Sequence, residues 1–168
     1  MNITRETVLA AVVAHLEERY ERLYRASQTA REEATDQDNR AESKYDTRSL
    51  EAGYLANGQA MQAEATADSL REYRIFLSEL TEAAERGDAE PEDDENAGVI
   101  RTGSVVTLRL GTRKEQFFIG LDSGGFDVEV EGAEITVLSR SSPLAGQLLG
   151  KKKGTLIRQP PGQIVAVG

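Results

Sequence analysis

The sequence contains no cysteine, no tryptophan and only one histidine, His15. Without cysteine the chain cannot form a disulfide, a thiolate zinc site or a cysteine nucleophile. A single histidine likewise excludes a metal site built from several histidines of one chain. No run of 18 apolar residues is present to span a membrane, and the first residues lack the apolar core of a signal peptide. We therefore expect a cytoplasmic protein.

Acidic residues outnumber basic ones, but only in the first part of the chain. The 168 residues carry a net charge of -9. Residues 1–97 hold 23 Asp and Glu against 11 Lys and Arg, a net charge of -12, whereas residues 98–168 hold 6 against 9, a net charge of +3. An acidic first region suits a positively charged cavity or a metal ion better than a phosphate backbone.

Two long stretches show the spacing of amphipathic helices. In residues 6–34 and in residues 46–84, apolar residues recur every three or four positions, which predicts two helical arms with a narrow coiled-coil seam. Neither arm could bury its apolar stripe alone, and their matching lengths favour one antiparallel hairpin. Gly53 and Gly58 lie inside the second arm, where they would allow close approach of the arms or a kink. The predicted seam comprises Leu9, Val12, Val13, Leu16, Tyr20, Leu23 and Ala30 in the first arm, and Leu50, Tyr54, Met61, Ala65, Leu70, Tyr73, Leu77, Leu80 and Ala84 in the second.

The turn between the arms, residues 36–46, gathers four carboxylates: Asp36, Asp38, Glu42 and Asp46. One interpretation is a solvated turn in which Asp46 caps the second helix. The other is a functional acidic tip, in which Asp38 and Glu42, four residues apart, share one face of a helix.

A change of composition divides the chain after the second arm. Residues 87–98 include six carboxylates and Pro91 but no core residue, which predicts a solvated linker between a hairpin domain, residues 1–86, and a second domain, residues 99–168. The second domain shows short alternating apolar runs separated by glycines, typical of an antiparallel sheet. Pro143 begins a short predicted helix that ends before Gly150.

The order of a hairpin, a linker and a sheet domain that ends in Ser142-Pro-Leu-Ala-Gly-Gln-Leu-Leu-Gly-Lys-Lys-Lys-Gly154 resembles the Gre-type bacterial transcription elongation factors. Their C-terminal domain carries a motif similar to S-P-L/I-G/A-x-x-L-L/I-G-K-x-x-G-D, from which this chain departs at Thr155. The Gly124-Gly125 turn before a strand resembles a feature of a smaller, RNA-polymerase-binding relative, the regulator of nucleoside diphosphate kinase. The resemblance implies an α+β protein in which an antiparallel coiled-coil hairpin precedes a small FKBP-like antiparallel sheet domain.

The resemblance also implies a partner, RNA polymerase, and a way of binding it. The sheet domain would dock outside the polymerase, and the hairpin would enter the secondary channel. The residues that match the family's docking motif are Ser142, Pro143, Leu144, Lys151 and Lys152. Nucleic acid would be met only indirectly, through the elongation complex, and we expect a monomer with no membrane association.

At the hairpin tip the resemblance is incomplete. In Gre factors two acids, in a pattern similar to G-D-x-x-E-N-A-E-Y, help to hold a catalytic Mg²⁺ of the polymerase. Aligning that tyrosine with Tyr45 places Asp38 at the first acid but Ala41 at the second, with Glu42 one residue away. Asp38 and Glu42 are therefore the candidate metal ligands, with Mg²⁺ bound only inside the polymerase active site and no cofactor of the protein's own.

We expect a protein that is not itself an enzyme, and at most stimulates the polymerase's own transcript cleavage. A channel-occupying inhibitor without cleavage activity is one alternative, and a structural coiled-coil adaptor is another. Prolyl isomerase activity would need an aromatic-lined apolar pocket. The second domain offers only Phe117, Phe118 and Phe126 for such a pocket.

Overall fold

The computed structural model describes residues 3–39, 48–86 and 98–168. By its internal contacts the chain divides into two compact units. The sheet unit comprises Met1–Val13 together with Glu72–Gly168, and the distal hairpin comprises Ala14–Arg71. The start of the first helix and the end of the second therefore belong to the same unit as the sheet.

Two long helices form the first half of the chain, as the spacing predicts. Helix α1 runs from Arg5 to Asn39 and helix α2 from Arg48 to Arg86. Thr4 begins α1, because its hydroxyl accepts a hydrogen bond from the Thr7 amide at 3.2 Å while the Thr7 hydroxyl accepts one from the Thr4 amide at 3.0 Å. This reciprocal pair satisfies two backbone groups that a helix start leaves open.

Small side chains form the seam of the distal hairpin, which corrects part of the predicted seam. On α2 the buried positions are Ala56, Ala63, Thr66 and Leu70, whereas Leu50, Tyr54 and Met61, all predicted to lie in the seam, are 58%, 70% and 63% exposed. Ala65 and Ala84 are exposed as well. Residue size was a poor guide to the seam, because small side chains occupy the buried positions of α2 while larger side chains on the same helix are exposed.

The glycines of α2 do not serve a close approach. A Cβ atom placed on Gly53 or Gly58 would meet no other atom within 4 Å, and both residues are exposed. The expectation that they let the two arms come together is therefore wrong.

The sheet unit contains a six-stranded sheet in the order β3-β4-β2-β1-β6-β5. Its strands are β1 Val105–Leu110, β2 Arg113–Ile119, β3 Phe126–Val130, β4 Ala133–Leu138, β5 Leu156–Ile157 and β6 Gly162–Val167, with helix α3, Pro143–Leu148, between β4 and β5. The α+β class and the hairpin-then-sheet order are confirmed.

The sheet is mostly antiparallel, with one exception. Strands β2 and β4 pair in parallel, with Gln116 opposite Ile135 and Ile119 opposite Leu138. The predicted antiparallel sheet therefore contains one parallel pair. The β3–β4 hairpin folds back so that β4, rather than β3, lies beside β2, which gives β4 the direction of β2.

The core of the sheet unit lies on both faces of the sheet. Helix α3 contributes Ala145 and Leu148 to one cluster, in which they are packed with Ile100, Val106, Leu108, Phe117, Ile119, Ile157 and Ile164. Phe118, Ile135 and Val137 belong to the other face and are fully buried. In the same unit, Val8, Leu9 and Val12 of α1 and Tyr73 of α2 are also fully buried.

No helix among the described residues is long and apolar enough to cross a membrane. The acidic linker lies almost wholly in residues 87–97, outside the described part of the chain, so the domain boundaries at residues 86 and 99 stay predictions.

Candidate functional site

The segment from Ser142 to Gly154 folds as α3 followed by a tight turn. Ser142 is the N-cap of α3, with φ of -69° and ψ of 149°, and its hydroxyl accepts a hydrogen bond from the Ala145 amide at 3.2 Å. Pro143 occupies the first helical turn, where a missing N–H costs nothing. Pro143 is exposed, whereas Leu144 is half-buried against the core.

The end of the segment is pinned to the rest of the sheet unit through its backbone. The Gly150 amide donates to the Ile100 carbonyl at 2.8 Å, and the Ile100 amide donates to the Lys151 carbonyl at 2.8 Å. Gly150 has φ of +74°, a conformation that glycine adopts without a steric penalty. The left-handed backbone conformation therefore explains the glycine at position 150, and the two backbone hydrogen bonds to Ile100 hold the turn that follows α3.

Gln147 holds the loop that precedes β6. Its Nε2 donates to the Gln159 carbonyl at 2.7 Å, and its Oε1 accepts from the amides of Arg158 and Gln159 at 3.1 and 3.2 Å. A single half-buried side chain therefore makes three hydrogen bonds to one loop. No sequence signal pointed to this role, because Arg158 and Gln159 are 11 and 12 residues away along the chain and their loop has no helical or strand pattern.

Lys151, Lys152 and Lys153 lie together on the exposed side of this turn. Among the described residues, no ion pair or hydrogen bond occupies the ammonium group of Lys151 or Lys153, whereas Lys152 does interact with a neighbour. Of the five residues predicted to dock, Pro143, Lys151 and Lys152 are exposed. Ser142 and Leu144 have clear structural tasks as cap and core residue.

The loop between β2 and β3 is bound by a tyrosine of α2. The Tyr73 hydroxyl accepts a hydrogen bond from the Leu121 amide at 2.9 Å and donates one to the Ser123 carbonyl at 2.7 Å. A Cβ atom at Gly120 would collide with that hydroxyl, which explains the glycine there. Burial away from water disfavours the phenolate and raises the pKa of Tyr73 to about 12.

The same loop is tied to the start of α3. The Arg140 guanidinium donates two hydrogen bonds to the Asp122 carboxylate, both at 2.7 Å, and the Arg140 amide donates to the Leu121 carbonyl at 2.9 Å. The bidentate hydrogen bonds from Arg140 lower the pKa of the Asp122 carboxyl. Tyr73, this loop and the turn before Ser142 thus form one connected network that fixes α3 relative to the end of α2.

The hairpin tip falls largely outside the described residues. Asp36 lies near the end of α1 and is exposed. Asp38 lies on α1, but its side chain is outside the described part of the chain, as are Glu42 and Asp46 entirely. Helix α1 extends to Asn39, so residues 36 and 38 sit on a helix rather than in a turn. The roles assigned to these four acids stay predictions.

The described residues do not by themselves form a metal site. No group of three or more histidine, cysteine, aspartate or glutamate side chains among them could hold a metal ion. Asp36 supplies a single exposed carboxylate, which is fewer oxygen ligands than Mg²⁺ requires from a dedicated site. The candidate ligand pair Asp38 and Glu42 therefore stays a prediction.

A shallow groove runs between the arms of the distal hairpin. Its lining includes Tyr20 and Arg31 from α1 and Ala60 and Ala67 from α2. The α1 residues of the lining lie 8 to 19 residues before the end of α1, and the α2 residues lie 12 to 19 residues after the start of α2. Because both sets are at a similar distance from the turn, the arms run antiparallel, as predicted. The rings of Tyr20 and Tyr24 stack along it with centroids 6.0 Å apart.

Comparison with known proteins supplies a fold likeness at most. No protein-family model matches the chain, and no curated protein matches it. Among solved structures, the chain is similar to the crystal structure of GreA factor homolog 1 (Gfh1) of Thermus thermophilus, with 22% identity and a TM-score of 0.34. The match covers 93% of this chain and 94% of that one.

Proposed function

We propose that this protein binds RNA polymerase and regulates transcription elongation. The sheet unit would dock on the polymerase surface through the Ser142–Gly154 segment, and the distal hairpin would enter the secondary channel. The protein would act in the cytoplasm, would have no catalytic activity of its own, and would meet nucleic acid only through the elongation complex.

The observation that carries the proposal is the structure of the Ser142–Gly154 segment, whose sequence resembles the Gre-type motif over thirteen positions. The cap at Ser142, the left-handed glycine at position 150 and the clamp from Gln147 hold this segment in one conformation. A preformed segment loses little entropy when it binds. Its exposed side carries Pro143 and three lysines, which leaves a surface for a partner.

The distal hairpin supports the second half of the proposal. From Ala14 to Asn39, α1 contributes 26 residues to it, which corresponds to about 39 Å at 1.5 Å per residue. The hairpin leaves Leu50, Tyr54 and Met61 exposed on α2, residues that lie within about 40° of one another around the helix axis. An exposed apolar stripe of this kind is typical of a surface that contacts another protein.

The tip favours occupancy of the channel over stimulation of cleavage. The position that matches the second acid of the Gre pattern is Ala41, and a Mg²⁺ site tolerates little displacement of its oxygen ligands. Asp36 and Asp38 are two positions apart in the sequence, whereas the two acids of the Gre pattern are three apart, so this pair does not reproduce the family spacing. We therefore propose a factor that pauses or inhibits the polymerase, with Mg²⁺ supplied and held by the polymerase alone.

Two assays test this proposal. Purified full-length protein should bind core RNA polymerase and should alter elongation or pausing, and Gly150→Val, which disturbs the docking segment, should weaken binding. On backtracked complexes the protein should release little cleaved transcript. Strong cleavage that is lost in both Asp38→Asn and Glu42→Gln would show that the shifted pair is competent and that the inhibitor assignment is wrong.

A structural coiled-coil adaptor remains the rival, favoured by the same exposed stripe on α2. It predicts no affinity for RNA polymerase. Absence of binding by the wild-type protein at micromolar concentration would therefore select the adaptor and reject the polymerase factor.

A further inference from the structure

Four side chains form one row across the end of the sheet. Leu156 on β5 is opposite Gln163 on β6, Gln163 is opposite Arg109 on β1, and Arg109 is opposite Lys114 on β2. Residues directly opposite each other on neighbouring strands project from the same face of the sheet. Arg109, Lys114 and Leu156 are exposed, with 75% of Leu156 accessible, whereas Gln163 is half-buried.

Gln163 connects this row to the lysine turn. Its Oε1 accepts a hydrogen bond from the Arg109 guanidinium, and its Nε2 donates to the Gly154 carbonyl at 3.1 Å. The turn is also held by the Gly154 amide, which donates to the Ile164 carbonyl at 2.7 Å. The lysine turn therefore adjoins the row at Gln163, and the exposed residues of both are here called the basic face: Arg109, Lys114, Leu156 and Lys151–Lys153.

The basic face has a surplus of positive charge that the described residues do not balance. No Asp or Glu follows Glu134 in the sequence, and Arg109 and Lys114 are like charges at directly opposite positions of neighbouring strands, an arrangement that costs stability. Among the described residues, no ion pair involves Arg109, Lys114, Lys151 or Lys153. The surplus is notable because the whole chain has a net charge of -9.

We infer that the basic face binds an acidic segment of a protein partner, one that places an apolar side chain on Leu156. This inference rests on the proposed function, and it adds to the docking segment the strand residues Arg109, Lys114 and Leu156, which no sequence motif indicated. The row crosses four strands, so it spans about 14 Å at roughly 4.8 Å between neighbouring strands. A partner segment of about four extended residues covers that distance.

A protein partner fits the basic face better than a nucleic acid. Single-stranded nucleic acids are held by aromatic side chains on which bases stack, and no aromatic residue follows Phe126 in this chain. Phe117 and Phe118, on the strand that carries Lys114, are buried. A leucine with three quarters of its surface exposed matches an apolar contact with protein, which a phosphate backbone does not offer.

The test uses the full-length protein, core RNA polymerase and a pair of matched variants. Lys114→Glu reverses a charge on the basic face. Arg113→Glu reverses the same charge one residue earlier on β2, where strand alternation points the side chain to the opposite face. Lys153→Glu probes the turn, and Leu156→Ala removes the apolar contact. Lys114, Lys153 and Leu156 are exposed, so their variants should fold and melt as the wild type does.

We expect Lys114→Glu and Lys153→Glu each to weaken polymerase binding by about tenfold at low salt, with a smaller effect at high salt. Leu156→Ala should weaken it by a comparable factor that salt leaves unchanged. Arg113→Glu should stay within about twofold of the wild type. A single-stranded RNA oligonucleotide should bind none of these proteins appreciably.

Each other outcome has a distinct meaning. If the wild type fails to bind the polymerase, both the proposed function and this inference are refuted. If the wild type binds and Lys114→Glu equals Arg113→Glu, the docking proposal survives but the basic face is not the contact. Binding of the RNA oligonucleotide that Lys114→Glu abolishes would reassign the face to nucleic acid and overturn the acidic partner.

Discussion

Replacing Tyr73 by phenylalanine isolates the two hydrogen bonds that join α2 to the β2–β3 loop. The ring stays, so the buried apolar surface is unchanged, but the Leu121 amide loses its acceptor and the Ser123 carbonyl loses its donor. At about 1 kcal/mol for each lost bond, the free energy of unfolding should fall by about 2 kcal/mol. For a chain of this length that corresponds to a melting temperature lower by about 5 °C.

The effect should depend on pH in one direction. The pKa of Tyr73 is about 12 in the folded protein against 10.0 as its ordinary value. Below pH 10 both folded and unfolded chains keep the phenol proton, so the stabilisation is fully present. Between pH 10 and 12 only the unfolded chain ionises, so the wild type should lose about 2 to 3 kcal/mol that Tyr73→Phe does not lose.

The assay is thermal or denaturant unfolding of the two proteins at pH 8 and at several values from pH 10 to 12. Tyr54→Phe is the matched control, because Tyr54 is 70% exposed and its substitution should change stability by less than about 0.5 kcal/mol. Equal melting temperatures for wild type and Tyr73→Phe at pH 8 would refute the reasoning, since they would mean that water or a shifted loop replaces the hydroxyl.

Three further predictions concern single side chains. Gly53→Ala should stabilise the hairpin by about 1 kcal/mol, because Gly53 is an exposed glycine inside a helix. Ala56→Leu should destabilise the hairpin by about 1 to 3 kcal/mol, because Ala56 is buried in the seam. Thermal melts of the two variants beside the wild type measure both changes. Gln147→Ala should destabilise the sheet unit by about 2 kcal/mol and speed hydrogen exchange of the loop amides before β6, whereas unchanged exchange would contradict the clamp. Because Arg140 lowers the pKa of Asp122, the ion pair's contribution is present at neutral pH and is lost as pH falls through that lowered value. An NMR titration should give Asp122 a pKa below its ordinary value of 3.8, and Arg140→Gln should raise the pKa back towards 3.8.

The sequence predicted those parts of the fold whose signals are local. Strands β3, Phe126–Val130, and β4, Ala133–Leu138, coincide with two alternating apolar runs of the kind the sequence predicted, which begin after Gly125 and Gly132. Strand β5 was missed, since two residues carry no period and their strand conformation depends on pairing with β6. The parallel pairing of β2 with β4 was missed for a related reason, because the choice of partner is a property of the whole sheet.

The candidate site also contains some features that local sequence signals predict and others that they do not. The motif around Ser142 and Gly150 was visible because caps and left-handed glycines use characteristic residues at fixed spacing. The hydrogen bonds of Gln147 and the basic row from Leu156 to Lys114 were not, because they join strands and loops far apart in the chain. On α2 the spacing was helical throughout, but the choice between alanines and larger residues for the seam depends on how closely the arms pack.

The division of the chain into units has a consequence for how the hairpin can change. The chain leaves the sheet unit after Val13 and re-enters it at Glu72, so in sequence the distal hairpin is an insertion in the sheet unit. The entropic cost of closing such an excursion grows only with the logarithm of its length, and halving the hairpin would change it by about 0.6 kcal/mol. Matched heptads could therefore be deleted from or added to both arms with little thermodynamic effect on the sheet unit. The length of the two arms can therefore change during evolution largely independently of the sheet unit.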